Sequence, residues 1–223
     1  MGKIKTFIID DSAIVRSVLT EKLGSNPEIE VVGSALDPYI AREKMEKIEV
    51  DVITLDIEMP RMDGLTFLKY LMKYRPIPVI IVSSLSERGN KASMEALELG
   101  AIDIVPKPGG PLSIDEVVDI LTEKILMTRE LDYDKFQKFC LKNSEIKDVK
   151  KDKILSRLDT TDKLIAVGAS TGGTQALEIL FKGFEVDCPP TLAVIHMPPK
   201  FTFTFANRLN DICKVKVKEA SDG

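Results

Sequence analysis

Ile4-Lys-Thr-Phe-Ile-Ile-Asp-Asp-Ser12 is the stretch on which the fold turns. An apolar run, Ile4–Ile9, stops abruptly at two carboxylates and a serine. So continuous a run reads as a strand buried on both faces, as in a parallel sheet. Ser12 is a helix N-cap residue type. Val15, Leu19 and Leu23 then repeat at helical spacing, with Ile14 and Val18 beside them. Gly24 is expected to end that helix as a left-handed C′ residue.

Further along the chain the same unit recurs. Apolar runs lie at Ile29–Val32, Val52–Leu55, Val79–Val82 and Ile102–Val105. Helical stripes sit after them: Ala41, Met45 and Ile48; Leu65, Leu68 and Met72; Ala92, Ala96 and Leu99; Val117, Leu121 and Ile125. Five strand–helix units in residues 1–126 predict an α/β domain with an open, doubly wound sheet of five parallel strands.

The composition then shifts. About half the residues from Thr128 to Thr160 are charged, against 30% overall. Residues 127–162 therefore read as a solvated linker, with a helix near Tyr133–Leu141. The segment holds too little apolar surface for a third small domain. Alternation resumes at 163, with strands expected at Leu164–Val167, Leu192–Ile195 and Val215–Glu219 and helices at Thr174–Phe181 and Phe201–Leu209. Residues 163–223 are short for an independent α/β domain. They read as the incomplete first half of one.

Several classes are excluded. The net charge of −4 and pI of about 5.3 argue against broad nucleic-acid binding. No apolar run is long enough for a membrane helix, and the N-terminus lacks a signal-peptide cleavage site. Gly2 and Thr6 match a myristoylation pattern, but a strand begins at once, so the match is discounted. Cys140, Cys188 and Cys213 are odd in number and widely spaced, which suits reduced thiols in a cytoplasmic protein.

In an open α/β sheet, ligands bind at the carboxyl ends of the strands. Asp10 and Asp11 fall there after the first strand, Asp56 after the third, Ser83 at the end of the fourth and Lys107 after the fifth. Three carboxylates in one crevice need a counter-charge. A hard cation with oxygen ligands supplies it, and Mg²⁺ fits. An aspartate beside such an ion can attack a phosphoryl group. A hydroxyl and a cation, Ser83 and Lys107, can stabilise the growing charge. A cis Lys107–Pro108 bond would aim the ammonium inward.

The strings Phe7-Ile-Ile-Asp-Asp-Ser12, Leu55-Asp-Ile-Glu-Met-Pro-Arg-Met-Asp-Gly64 and Val105-Pro-Lys-Pro108 resemble those of response-regulator receivers, which have a flavodoxin-like fold. The resemblance implies that Asp56 is phosphorylated by a histidine kinase. It implies that Asp11, Asp56 and the Glu58 backbone carbonyl hold Mg²⁺, with Asp10 acting through water, and that Ser83 and Lys107 contact the phosphoryl group. One departure stands out: Ile104 occupies the position, three before the lysine, where many receivers carry an aromatic switch residue. Haloacid dehalogenase phosphatases also form phosphoaspartate, but they want Asp-x-Asp where this chain has adjacent Asp10 and Asp11.

The second unit opens with Leu164-Ile-Ala-Val-Gly-Ala-Ser-Thr-Gly-Gly173. Gly168-x-Ser170-x-Gly172 fits a nucleophile elbow in its strand–turn–helix context. The Thr171 N–H would lie at a helix N-terminus, where an oxyanion is favoured. Serine needs a base, and the single histidine, His196, follows the next strand. The turn lacks the third glycine of a dinucleotide cradle and the Gly-Lys-Ser/Thr of a Walker loop.

Gly168-Ala-Ser-Thr-Gly-Gly173 and His196-Met-Pro-Pro199 resemble the catalytic domain of the chemotaxis protein-glutamate methylesterases, and Val82-Ser-Ser-Leu-Ser-Glu-Arg-Gly89 resembles their receiver. The resemblance makes Ser170 the nucleophile and His196 the general base. It implies hydrolysis of glutamate methyl esters, and deamidation of glutamines, on chemoreceptors, with the receiver covering the esterase site until Asp56 is phosphorylated. The family's triad aspartate follows the histidine by nearly a hundred residues. Asp211, expected on the surface after a helix, and Asp222, expected in a turn, are not assigned to it. On this reading the 223-residue chain is cut short and inactive by itself. The alternative is a phosphorylation-dependent interaction module with a non-catalytic second half. A DNA-binding output is weaker still, because no basic helix-turn-helix pattern follows the linker.

Overall fold

A computed structural model of the chain describes residues 2–84, 86–108, 113–143, 164–170, 172–198 and 201–221. Two compact units divide it, Met1–Glu145 and Ile146–Gly223.

In the first unit β1 (Ile4–Ile9), β2 (Ile29–Ala35), β3 (Val52–Asp56), β4 (Val79–Ser83) and β5 (Asp103–Pro106) form one sheet in the order β2-β1-β3-β4-β5. Every adjacent pair is parallel. This is the flavodoxin-like, doubly wound order. The continuous apolar runs are explained by their surroundings: β3, β4 and β5 are buried along their whole length. Phe7, Ile53, Val79, Ile80 and Val105 are fully enclosed, each contributing roughly 1.5–3 kcal/mol of transfer free energy.

Helices α1 (Ala13–Gly24), α2 (Pro38–Met45), α3 (Gly64–Tyr74) and α4 (Glu87–Glu98) connect the strands, and α5 (Ile114–Met127) follows β5. Each begins on a side-chain cap, Ser12, Asp37, Asp63, Ser86 and Ser113 respectively, whose oxygen accepts from the N3 N–H. Such a cap is worth about 1 kcal/mol. Gly24 departs from expectation. It is the last residue of α1, the cap is Ser25 in right-handed geometry, and the Ser25 N–H donates to Glu21. No left-handed residue is needed there.

The charged segment also departs from the solvated-linker reading at its start. Thr128–Glu130 forms a 3-10 turn and Tyr133–Asn143 a helix, α6. The charges mask a sparse apolar face on this helix. Phe136 and Cys140 are buried. Cys140 Sγ lies 3.6 Å from Met72 Sδ of α3, and the Tyr133 hydroxyl donates to the Pro76 carbonyl at 2.8 Å.

In the second unit β6 (Ile165–Ala169) and β7 (Thr191–Ile195) pair in parallel, with α7 (Gly173–Lys182) and α8 (Phe201–Ile212) packed nearby. Leu177, Phe181, Phe184, Phe201, Phe205 and Leu209 form its core. Val215–Glu219 is not a strand. A strand requires a partner ladder, and among the described residues none pairs with it; instead the Val217 N–H donates to Asn210 Oδ1 at 3.0 Å.

Candidate functional site

Strand order reverses between β1 and β3, and the chain places Asp10 just past the end of β1 and Asp56 at the end of β3. Asp10 and Asp56 are buried and Asp11 is exposed. One carboxylate oxygen from each of the three lies within 4.8 Å of the others. The charge this concentrates is only partly answered by protein. Lys107 Nζ sits 2.7 Å from Asp56 Oδ2 and 3.4 Å from Asp10 Oδ2. The Ser12 N–H donates to Asp10 Oδ1 at 2.8 Å, and the Glu58 N–H to Asp56 Oδ1 at 3.1 Å.

Burial pushes the Asp56 carboxyl up to about 6, against the pull of Lys107 and with a further push from Asp10. Burial likewise raises Asp10 despite Lys107. For Lys107 burial opposes the charge, yet Asp56 and Asp10 hold its ammonium above the ordinary lysine value. A cluster in which Asp10 and Asp56 resist ionisation beside Lys107 suits a hard cation, and its donors are all oxygens.

Lys107 reaches the cluster without a cis bond. No cis peptide occurs among the described residues, and the Lys107 N–H donates to the Ser83 carbonyl at 2.8 Å, which aligns the ends of β4 and β5. The Ser83 side chain behaves differently from its backbone. Among the described residues its buried hydroxyl has no hydrogen-bond partner, a state that costs roughly 1–3 kcal/mol. Ile104 is buried within β5. Glu58 is exposed in the loop after Asp56, and Ser84 Oγ donates to its carboxylate at 3.5 Å.

Gly64 shows how tightly that loop is folded. A Cβ at this position would lie 2.2 Å from the Asp56 carbonyl oxygen. Its N–H donates to Ile57 O at 2.9 Å. No side chain fits, so glycine is required by close approach.

Two arginines pair with groups that follow β1 and β2. Arg16 donates to the carbonyls of Asp10 and Asp11 at 2.8 and 3.0 Å. Arg61 pairs with the buried Asp37 at 2.7 Å. Neither carries a local sequence signal, because each acts on a partner set by the tertiary fold.

In the second unit the parallel register Ala169↔Ile195 puts Ser170 and His196 at adjacent strand ends. The His196 N–H donates to the Ala169 carbonyl at 3.3 Å. Both residues are exposed. Gly172 has a φ of +74° and caps α7, and the Gly173 N–H donates to the Ser170 carbonyl at 2.7 Å. That bond closes a turn that opens at Ser170 and leads into α7. Thr171, expected to supply an oxyanion N–H, and Asp222 lie outside the described residues. Asp211 is exposed in the last turn of α8 rather than after it.

Residues 6–119 match the response regulator receiver domain model. The chain belongs to the response-regulator receiver family. Residues 165–223 match the CheB methylesterase model. The chain is similar to protein-glutamate methylesterase/protein-glutamine glutaminase 2 of Syntrophus aciditrophicus, 48% identical over 100% of this chain and 64% of that protein. It is also similar to protein-glutamate methylesterase/protein-glutamine glutaminase 3 of Leptospira interrogans, 48% identical over 99% of this chain and 64% of that protein. The chain thus spans about 64% of the length of these curated relatives. Among solved structures, the response regulator domain of Thermotoga maritima CheB superposes with a TM-score of 0.53 at 43% identity, covering 58% of this chain and 98% of that one. The receiver family accounts for the acidic crevice at the β1/β3 switch point.

Proposed function

We propose that this chain is the receiver and the leading part of the catalytic domain of a chemotaxis methylesterase of the two-component type, acting in the cytoplasm. Asp56 takes a phosphoryl group from a histidine kinase: its carboxylate oxygen bonds to phosphorus as the phosphorus–nitrogen bond of phosphohistidine breaks. Asp11, Asp56 and the Glu58 carbonyl would hold Mg²⁺, with Asp10 acting through water, and the ion would offset the charge of the incoming phosphoryl group. The acidic cluster and its all-oxygen donors support that assignment. Lys107, already paired to Asp56, donates to a phosphoryl oxygen, and the unpartnered Ser83 hydroxyl binds another.

Ser170 attacks the methyl ester of a chemoreceptor glutamate. His196 takes the hydroxyl proton and returns it to the departing methanol, and water then releases the acyl-serine as glutamate. The Thr171 N–H would stabilise the oxyanion. Glutamine deamidation follows the same route with ammonia leaving. Phosphorylation replaces the single carboxylate charge of Asp56 with the nearly two negative charges of an acyl phosphate and relieves inhibition by the receiver.

The observation that carries the esterase reading is the parallel pairing of β6 with β7, which sets Ser170 and His196 at neighbouring strand ends. The test is methanol release from methylated chemoreceptor with and without a small phosphodonor and Mg²⁺, using this chain and a version extended to the length of its relatives. Turnover by the extended version that rises with Asp56 phosphorylation and disappears in Ser170→Ala is expected. Undiminished turnover in Ser170→Ala would remove the serine from the mechanism. Labelled Asp56 with no methanol from either version would leave an interaction module.

A further inference from the structure

The loop after Asp56 contains one backbone strain. Arg61 has a φ of 71°, and among the described residues it alone is a non-glycine with positive φ. Left-handed backbone costs a residue with a Cβ on the order of 1 kcal/mol. Such strain persists only where surrounding contacts hold it. Here the contacts are specific. Arg61 Nη1 lies 2.7 Å from Asp37 Oδ2, and the Asp37 side chain is fully buried. The guanidinium also sits 4.9 Å from the centroid of the Tyr39 ring. The other carboxylate oxygen of Asp37 accepts from the Ile40 N–H at 3.0 Å and caps α2.

The topology gives this pair a particular place. Asp37 follows β2 and Arg61 follows β3, while the sheet order β2-β1-β3 puts β1 between them. The Arg61–Asp37 bridge therefore crosses the strand-end region that carries Asp10 and Asp11. Lys107 enters from the β5 side, so the cluster has a lysine on one flank and a bridged loop on the other. Glu58 is three residues before Arg61 in the same loop. The short bonds Met59 N to Ile57 O, Met62 N to Pro60 O and Gly64 N to Ile57 O (3.2, 2.9 and 2.9 Å) leave that loop little freedom of its own.

We propose that Arg61 and Asp37 are positioning residues for the phosphorylation site, holding the 57–63 loop so that Asp56 and the Glu58 carbonyl present a preformed cation site. The inference rests on Asp56 being a receiver phosphoacceptor. The bridge acts on the loop and not on the phosphoryl group. Its loss therefore weakens cation binding and leaves the chemistry at saturating cation unchanged.

Two substitutions separate positioning from general stability. Arg61→Gly removes the bridge and also relieves the positive φ. Asp37→Asn removes the charge and keeps a residue that caps helices equally well. The full chain and both variants are titrated with MgCl2 by calorimetry, labelled with acetyl phosphate across a range of Mg²⁺, and unfolded in urea. Each variant is expected to weaken Mg²⁺ binding about tenfold, the scale of lost supporting contacts around a metal. Labelling at saturating Mg²⁺ should reach the parent rate. The double variant should be no weaker than either single one, because both remove the same bridge. Mg²⁺ affinities within twofold of the parent, or losses that add in the double variant, would overturn the proposal. Loss of maximal labelling rate with unchanged affinity would overturn it too. A parent chain that takes no Mg²⁺-dependent label at all would instead remove the receiver reading and this inference with it.

Discussion

Asp56 holds the clearest conflict between burial and charge in the receiver. Its carboxyl is pushed up to about 6 by burial, against an ordinary value of 3.8. A folded-state value above the unfolded one means that ionisation is harder in the folded chain. Stability is then fully present below about pH 4, falls as pH rises to about 6, and stays low above that. The penalty at neutral pH is about 2–3 kcal/mol, an upper figure because the pair with Lys107 keeps some solvent access. Asp56→Asn has no charge to bury. In metal-free buffer it should raise the urea stability at pH 7.5 by about 1–3 kcal/mol and give little gain at pH 4. Added Mg²⁺ should shrink the gain by stabilising the parent. An Asn variant no more stable than the parent at pH 7.5 would show that Lys107 already compensates the buried charge.

Among the elements, α5 and β5 share an ion pair that nothing in the local sequence announces. Lys124 Nζ, in the last turns of α5, meets Asp103 Oδ2 of β5 at 2.7 Å, and only 2% of the lysine side chain is exposed. Asp103 Oδ1 also accepts from the Ile104 N–H at 2.8 Å. Removing one partner leaves the other charge buried and uncompensated, which costs about 3–5 kcal/mol, whereas replacing both by apolar residues is close to neutral. Lys124→Met should therefore lower the urea stability by about that amount, and Lys124→Met with Asp103→Leu should recover most of it. Additive losses in the double variant would mean that the pair is not the stabilising unit. The stripe Val117, Leu121 and Ile125 places position 124 on the inward face of α5, but periodicity does not say which carboxylate answers its charge. Only the sheet behind it supplies that partner, Asp103.

Over the whole molecule the two units differ in how much apolar surface they enclose. The five-stranded sheet of the first is covered along its central strands. On the two-stranded sheet of the second, Leu192 is 58% and Val194 73% exposed. An open apolar face of this kind binds hydrophobic probes and promotes association. The chain should enhance the fluorescence of anilinonaphthalene sulfonate under native conditions, and Leu192→Lys with Val194→Lys should abolish most of that signal. Retention of the signal in the double variant would place the exposed surface elsewhere.

The alternating pattern of apolar runs and stripes was sufficient to give the receiver's five strands, its helices and its acidic strand ends. Both faces of a parallel strand are buried, so the sequence is apolar along most of its length, and the carboxylates of the crevice come where the run stops. The placement of Asp10, Asp11, Asp56, Ser83 and Lys107 at strand ends was legible for that reason, as was the turn at Ser170. What the sequence did not carry was anything set by a distant partner. The burial of α6 depends on Met72 of α3, the absence of a strand at 215–219 on the lack of a paired neighbour among the described residues, and the reach of Lys107 on β5 lying beside β4. The Arg61 bridge depends on β2 and β3 flanking β1. Periodicity and caps are local properties that each segment carries within itself. Pairing, charge compensation and backbone strain exist only once the chain has brought separate segments together.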